Sequence, residues 1–306
     1  GDYQVDGKTY AIPYRHDSWV LFYNKNLFDK AHVAYPDGSW TWSDYVTASE
    51  KLTAGLKAAG SKAVGDYEHI FQSTVQGFAL AQTPKASLQS GDFGYLKPYY
   101  TQALALQNAG AQPSFGTVTT NKLTYQAEFG TQQAAMMLMG SWYIATLLSQ
   151  QASGDANTFP WGLAPAPQLT ASTTGTSHIP VTFGDPTGLG INAAIDGSKI
   201  ATAEEFLAYA AGPQGAKVLA GIGITPANTT QVTQDFFSLK GMPTDALSKF
   251  TFSIHDTKPE NPVSKYTAAL QNILNDLHTA IMSGSKNIDS AISEAQSRAK
   301  NEVLNQ

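Results

Sequence analysis

The sequence predicts an α/β fold, because a buried strand with a polar collar is followed by several amphipathic helices. Residues 19–23 form an aromatic and branched apolar run, which is typical of a strand inside a sheet. A helix start at residues 24–26 follows this apolar run. Four hydrogen-bonding side chains come before the run, and they are Tyr14, Arg15, His16 and Asp17. Polar side chains at one end of a buried strand are how α/β folds build clefts, so this stretch predicts a ligand site.

Bulk composition allows a real core and narrows the possible partners. The chain has 306 residues, 42% of them hydrophobic, which suits one large domain or two moderate ones. The net charge is −5 and the only arginines are Arg15 and Arg298. Nucleic acid and anionic membrane surfaces require clustered cations, so neither is an expected partner. We expect a monomer.

The elements of the first half follow in order. Residues 3–12 predict a hairpin, since Asp6-Gly7 suits a type I′ turn. Thr41 and Asp44 have the spacing of a capping box, and they start a helix that Gly60 ends. A short apolar run at 134–139 then meets Gly140-Ser141-Trp142-Tyr143. Further helices are predicted at residues 71–81, 96–108 and 144–150, with a helix end or turn at 128–133.

The second half begins with a predicted loop at residues 151–180, which is rich in Ser, Thr, Gly, Ala and Pro. Residues 183–191 form a strand approach interrupted by glycines. Pro213 suits the first turn of a helix, so residues 203–211 and 214–220 predict two successive helices. The last two helices are predicted at 266–283 and 287–304, the final one with a single apolar face.

Motifs for catalysis, metals and nucleotides are missing from the sequence. There is no P-loop, dinucleotide-binding glycine motif, HExxH, GxSxG or EF-hand loop. The chain has no cysteine, and its six histidines lack the spacing of metal ligands. We therefore expect no cofactor and no metal ion.

A succession of weak motifs nevertheless spans nearly the whole chain. In chain order they are Ile12-Pro13 with Tyr23-Asn24-Lys25, Trp40-Thr41-Trp42-Ser43-Asp44, Ala134-Ala135-Met136 with Gly140-Ser141-Trp142, Gly188-Leu189-Gly190-Ile191, Ala203-Glu204-Glu205-Phe206-Leu207, Gly223-Ile224-Thr225-Pro226-Ala227 and Ile288-Asp289-Ser290-Ala291-Ile292. This order resembles the extracellular solute-binding proteins of ABC importers, in the sugar-carrying, maltose-binding-protein-like branch. The resemblance implies a type II periplasmic-binding-protein-like fold, in which two lobes close around a sugar.

The resemblance also implies a set of ligand-binding residues. Asp17 matches an acidic residue that hydrogen-bonds sugar hydroxyls, and Trp142 matches a tryptophan that stacks on a sugar ring. The sequence alone leaves a core role open for Trp142, a surface role for Arg15 and a turn role for Asp185 before Pro186. The full predicted set is Tyr14, Arg15, Asp17, Glu68, His69, Trp142, Phe183 and Asp185.

One departure from the family concerns the point in the family's pattern at which this sequence begins. Relatives place most of the first lobe before the Ile-Pro hinge, whereas Gly1 stands almost at that hinge here. We therefore expect residues 1–179 to begin the second lobe, entered through a hinge at about 10–16. Residues 180–229 would be a returning segment of the first lobe, and 230–306 the closing helices of the second. Most of the first lobe would be missing, along with any signal peptide and lipidated cysteine.

The function that the resemblance implies is binding a carbohydrate and delivering it to the permease of an ABC transporter, without catalysis. The protein would act outside the cell membrane, as a cell-surface lipoprotein or in a periplasm. Two alternatives stay open. A glycoside-processing enzyme would need two facing carboxylates, for which Asp17, Glu68, Asp185 and Asp256 are candidates without a distinctive spacing. A ligand-sensing module would pass cleft closure to a signalling partner.

Overall fold

The computed structural model describes residues 3–228 and 232–305 and has mixed α/β architecture. The strands are β1 (Gln4–Val5), β2 (Lys8–Thr9), β3 (Ile12–His16), β4 (Trp19–Asn24), β5 (Val64–Asp66), β6 (Ala134–Gly140), β7 (Trp161–Ala164), β8 (Val181–Phe183), β9 (Pro186–Leu189) and β10 (Asp256–Lys258). The helices are α1 (Lys25–Ala31), α2 (Trp42–Ala58), α3 (Ser73–Gln82), α4 (Lys97–Asn108), α5 (Phe115–Asn121), α6 (Tyr125–Gly130), α7 (Tyr143–Ser153), α8 (Ile200–Ala211), α9 (Pro213–Ala220), α10 (Thr233–Phe237), α11 (Ala246–Ser253), α12 (Thr267–Met282) and α13 (Ile288–Arg298).

A four-stranded sheet with the order β5-β6-β4-β7 forms the centre of the structure. Strand β4 pairs antiparallel with β6 on one side and with β7 on the other. Every residue of β4 and β6 is buried, as expected for strands that are covered on both faces. Helix α2 packs against β5 and α11 against β7. The buried strand predicted at residues 19–23 is β4, one of the two inner strands of the sheet.

Local signals in the first half of the chain are confirmed. Strands β1 and β2 form the predicted hairpin, with positive φ angles of 50° at Asp6 and 74° at Gly7. Thr41 and Asp44 form the predicted capping box at the start of α2. Asn24 caps α1 by accepting a hydrogen bond from the Leu27 N–H at 3.1 Å.

The predicted loop at residues 151–180 was wrong in its middle, where the structure has strand β7. This strand pairs with β4 through Leu21 and Ala164, and all four of its residues are buried. A strand this short, buried on both faces, shows no alternation of apolar and polar residues. Its Ser-, Gly- and Pro-rich flanks then dominated the pattern. The short helices α5, α10 and α11 were also not predicted, for lack of a long apolar repeat.

Two small sheets connect distant parts of the chain near the N-terminal end of β4. Strand β3 pairs antiparallel with β9, and β8 pairs in parallel with β10. Strand β8 packs beside β4 and α3, whereas α8 and α9 contact β3. Of the predicted domain boundaries, 179/180 falls just before β8, and 229/230 lies outside the described residues. Among the described helices, none is long and apolar enough to cross a bilayer.

Candidate functional site

A cleft of about 650 Å³ opens where β3, the turn between β8 and β9, and the start of α7 come together. Its walls come from segments that lie far apart in the sequence. Four of the predicted site residues line this cleft, and they are Arg15, Asp17, Trp142 and Asp185. The principal further lining residues are Phe71, Ser73 and Glu260.

Arg15 and Asp17 form an ion pair on the cleft wall. Arg15 donates from Nε at 2.8 Å and from Nη2 at 2.6 Å to Oδ2 of Asp17. The Ser141 hydroxyl donates to Oδ1 of Asp17 at 2.9 Å, so both carboxylate oxygens have partners. Burial raises the pKa of Asp17 above its ordinary value, although Arg15 and Ser141 lower it. Asp17 is buried, and its ion pair fixes the position of the more exposed guanidinium of Arg15.

The local backbone explains why Arg15 faces the cleft. The register between β3 and β9 shifts between Pro13 and Arg15, which makes Tyr14 the extra residue of a β-bulge. A bulge turns the following side chain relative to the regular pleat, and such bulges recur beside binding sites. The Tyr14 carbonyl accepts a hydrogen bond from the Ala227 N–H at 3.0 Å. Tyr14 therefore contributes backbone geometry, and its side chain is not among the lining residues.

Trp142 forms an aromatic platform at the start of α7. Its half-buried ring meets Trp19 edge to face, with centroids 5.4 Å apart and planes at 89°. Gly140 makes room for the ring, because a Cβ at that position would lie 1.9 Å from the indole. Trp19 in turn stacks on Phe183, with centroids 5.0 Å apart. Phe183 is fully buried and does not reach the cleft surface, so it supports the platform from beneath.

The loop at residues 66–69 is divided between two locations. Glu68 lines a small pocket together with Tyr45 and Asp66, and it is not among the residues that line the cleft. His69 accepts or donates a hydrogen bond with the Tyr67 hydroxyl at 2.9 Å. Its ring meets Phe71 edge to face at 4.4 Å, and Phe71 is a cleft residue with 38% of its surface exposed. His69 thus contacts the cleft residue Phe71 and is not itself among the lining residues.

Asp185 connects the cleft to the loop between β10 and α12. Its carboxylate accepts hydrogen bonds from the Glu260 N–H at 3.1 Å and from the Asn261 side chain at 2.6 Å. Glu260 accepts a hydrogen bond from the Ser73 hydroxyl. Burial, with Asp185 nearby, raises the pKa of Glu260 to about 7. The sequence reasoning missed Phe71, Ser73 and Glu260, and the polar Pro-Glu-Asn-Pro loop was the one signal for Glu260.

Three carboxyls with raised pKa values predict an unusual dependence of stability on pH. Burial raises the pKa of Asp66 to about 7 and that of Glu68 to about 8, beside Glu260 at about 7. Unfolded carboxyls titrate at about 4, so these three carboxyls bind more protons in the folded state between about pH 5 and pH 8. Burial lowers the pKa of His278 to about 4, which acts in the opposite direction up to about pH 6.5. The free energy of unfolding should therefore fall as the pH rises from about 6.5 to 8. Thermal unfolding midpoints at several pH values test this.

The matched variants for this test are Glu68→Gln and Glu294→Gln. Glu68→Gln removes one half-buried titrating group and should make the melting temperature less dependent on pH between about 6.5 and 8. Glu294 is exposed on α13, so its substitution should leave the slope unchanged. Identical slopes in the wild type and Glu68→Gln would show that Glu68 does not carry the extra proton.

The arrangement suits hydrogen bonding and ring stacking better than metal binding. Among residues 3–228 and 232–305, no group of His, Asp and Glu side chains has the geometry to hold a metal ion. The cleft instead combines a guanidinium, carboxylates and hydroxyls with three aromatic side chains. Such a set recognises a ligand with hydroxyl groups on its rim and an apolar face.

Comparisons with known proteins agree with this geometry. The model of the family described as bacterial extracellular solute-binding protein matches residues 1–217. A sugar transporter from Rhizobium etli, solved in an open conformation, has 33% sequence identity and a TM-score of 0.83. The match covers 97% of this chain and 73% of that one. Among curated proteins, no sequence matches significantly.

Two more distant solved structures support the fold alone. One is an ABC substrate-binding protein from Listeria monocytogenes in complex with cycloalternan, at 20% identity and a TM-score of 0.76, covering 98% of this chain and 73% of that one. The other is a sugar-binding protein from Xanthomonas citri, at 20% identity and a TM-score of 0.69, covering 99% of this chain and 72% of that one. The type II periplasmic-binding-protein-like fold expected from the sequence is confirmed.

Proposed function

The chain belongs to the bacterial extracellular solute-binding proteins, and we propose on this basis that it binds a carbohydrate in the cleft for delivery to the membrane subunits of an ABC transporter. The observation that carries this proposal is that the Trp142 ring and the Arg15 guanidinium line the same cleft. An indole face covers the apolar face of a sugar ring, and a guanidinium donates to its hydroxyls. The Rhizobium etli relative is described as a sugar transporter, which supports the same ligand class.

Proteins of this family bind their solute for a transporter, so the chain is not an enzyme. Two of the four carboxylates considered for the glycosidase alternative do not line the cleft. Glu68 lines a separate small pocket beside Tyr45 and Asp66, and Asp256 pairs with Lys258 at 2.8 Å. Asp17 and Asp185 are engaged by hydrogen bonds that hold the cleft walls.

We propose the same division into lobes that the resemblance implies, with residues 180–229 belonging largely to a different lobe from the central sheet. Helix α8 supports this division, because none of its residues is buried. Its Phe206 is 60% exposed and its Tyr209 is 54% exposed. An apolar helix face of this kind is typical of a surface that packs against another body. The rest of the first lobe is the cover that we propose for it.

The family description is extracellular, and the finer location is part of the proposal. We propose that the protein works as a monomer, either anchored as a lipoprotein or free in a periplasm. Its partners would be the carbohydrate and the permease subunits, and no nucleic acid is involved.

A thermal-shift screen of mono- and oligosaccharides tests the proposed function. A ligand that binds only the folded state raises the melting temperature in proportion to the logarithm of its concentration, once it exceeds the Kd. We expect at least one sugar to give such a rise, without release of new reducing ends over the same hours. A set of flat curves across the panel would contradict carbohydrate binding, and accumulating reducing ends would favour the enzyme alternative.

A further inference from the structure

Glu260 occupies a defined position on the cleft wall that the sequence reasoning did not assign. It lies in the loop between β10 and α12, 75 residues after Asp185 in the sequence. Its N–H donates to Asp185 at 3.1 Å, and its carbonyl accepts from the Gln271 side chain at 3.3 Å. Because the backbone is held on both sides, Glu260 is placed before any ligand arrives.

The side chain of Glu260 has one engaged oxygen. Ser73, the first residue of α3, donates its hydroxyl to Oε1. Among the residues that the structure describes, no protein group donates to Oε2, although Glu260 lines the cleft. A carboxylate oxygen without a protein donor in a ligand cleft is suited to accept a hydrogen bond from the ligand.

The charges around the cleft are unbalanced. Arg15 is the single cation among the described lining residues, and it is paired with Asp17. Neither Asp185 nor Glu260 forms an ion pair within the described ranges. A ligand bearing its own carboxylate or phosphate would meet like charge here, in surroundings where screening is weaker than in water. Hydroxyl and ammonium groups would be attracted instead.

We propose that Glu260 contacts the bound sugar directly and restricts the cleft to neutral and amino sugars, excluding sugar acids. This rests on the proposed function, since it concerns the selectivity of the same cleft. Specificity of this kind arises from repulsion of the wrong ligand as much as from contacts to the right one. Ser73 keeps the Glu260 carboxylate oriented.

The test compares matched sugars on the wild type and on Glu260→Gln, which removes the charge and keeps the shape. The probes are glucose, glucosamine and glucuronate, with galactose, galactosamine and galacturonate as a second set. Each is titrated by calorimetry at about pH 8, where Glu260, with its pKa of about 7, carries its negative charge. We expect the wild type to bind a neutral sugar at least about tenfold more tightly than the matching uronate. Glu260→Gln should reduce this ratio several-fold. The exposed Glu294→Gln should leave it unchanged.

Ser73→Ala provides a second variant, which keeps the charge of Glu260 and removes the hydroxyl that orients it. Ser73→Ala should weaken binding of the neutral sugar and reduce the ratio of neutral-sugar affinity to uronate affinity. Equal affinity of the wild type for glucose and glucuronate, or an unchanged ratio in Glu260→Gln, would overturn this inference while the proposed function stands. Absence of saturable binding for all six sugars and for maltose and maltotriose would overturn the proposed function, and this inference with it.

Discussion

Replacing Trp142 by alanine is expected to weaken sugar binding by about thirtyfold or more, which corresponds to about 2 kcal/mol. The indole is half-buried and stands on Trp19, so its exposed face is rigid and ready for a sugar ring. Alanine removes this face and leaves Arg15 as the main contact on that side. Calorimetric titration of the tightest sugar from the screen measures the change in Kd.

The control for Trp142→Ala is Trp40→Ala. Trp40 is also partly buried against the core, but it lines a different groove beside α2. Its loss should lower the unfolding midpoint to a similar extent and leave the Kd unchanged. Trp142→Phe keeps an aromatic face and should retain part of the affinity. Unaltered sugar affinity in Trp142→Ala would rule out the stacking role.

Gly184→Ala is expected to lower the free energy of unfolding by about 3 kcal/mol and to abolish most sugar binding. A Cβ at Gly184 would lie 2.0 Å from the backbone oxygen of Asp17 and 3.2 Å from the Cα of Ser18. Both contacts are with backbone, so no side-chain rotation can relieve them. The segment carrying Arg15 and Asp17 must then move away from Asp185. Urea unfolding measures the loss of stability, and sugar titration measures the loss of the site.

Gly197→Ala is the matched control for this substitution. A Cβ at Gly197 meets nothing within 4 Å, and its φ is not in the left-handed region. The free energy of unfolding should therefore change by no more than about 0.5 kcal/mol. If Gly184→Ala unfolded at the same urea concentration as Gly197→Ala, the close contact between Gly184 and the backbone of Asp17 would not exist in solution.

Much of the fold followed from signals that act within a few residues. Strand β4 is an unbroken apolar run, and α2 carries its own capping box and buried stripe, so tertiary contacts only reinforce what the local sequence favours. Strand β7 has no such signal. It is a strand because β4 offers it backbone partners, and that pairing joins residues far apart in the sequence.

The candidate site shows the same limit more sharply. Arg15, Asp17 and Trp142 could be predicted because each lies beside a recognisable strand or glycine motif. Glu260 was missed because its partner Ser73 is 187 residues away, and nothing in either neighbourhood indicates the other. Phe183 was predicted to line the cleft from its position in the chain. Only the packing of Trp19 over its ring shows that it lies beneath the surface.

A crystal structure of the protein with the tightest-binding sugar tests the central claim most directly. The account predicts density for the sugar in the cleft, with one ring face against Trp142 and a hydroxyl within hydrogen-bonding distance of Arg15. Density for the sugar at another surface, with the Trp142 ring and the Arg15 guanidinium left uncovered, would contradict it.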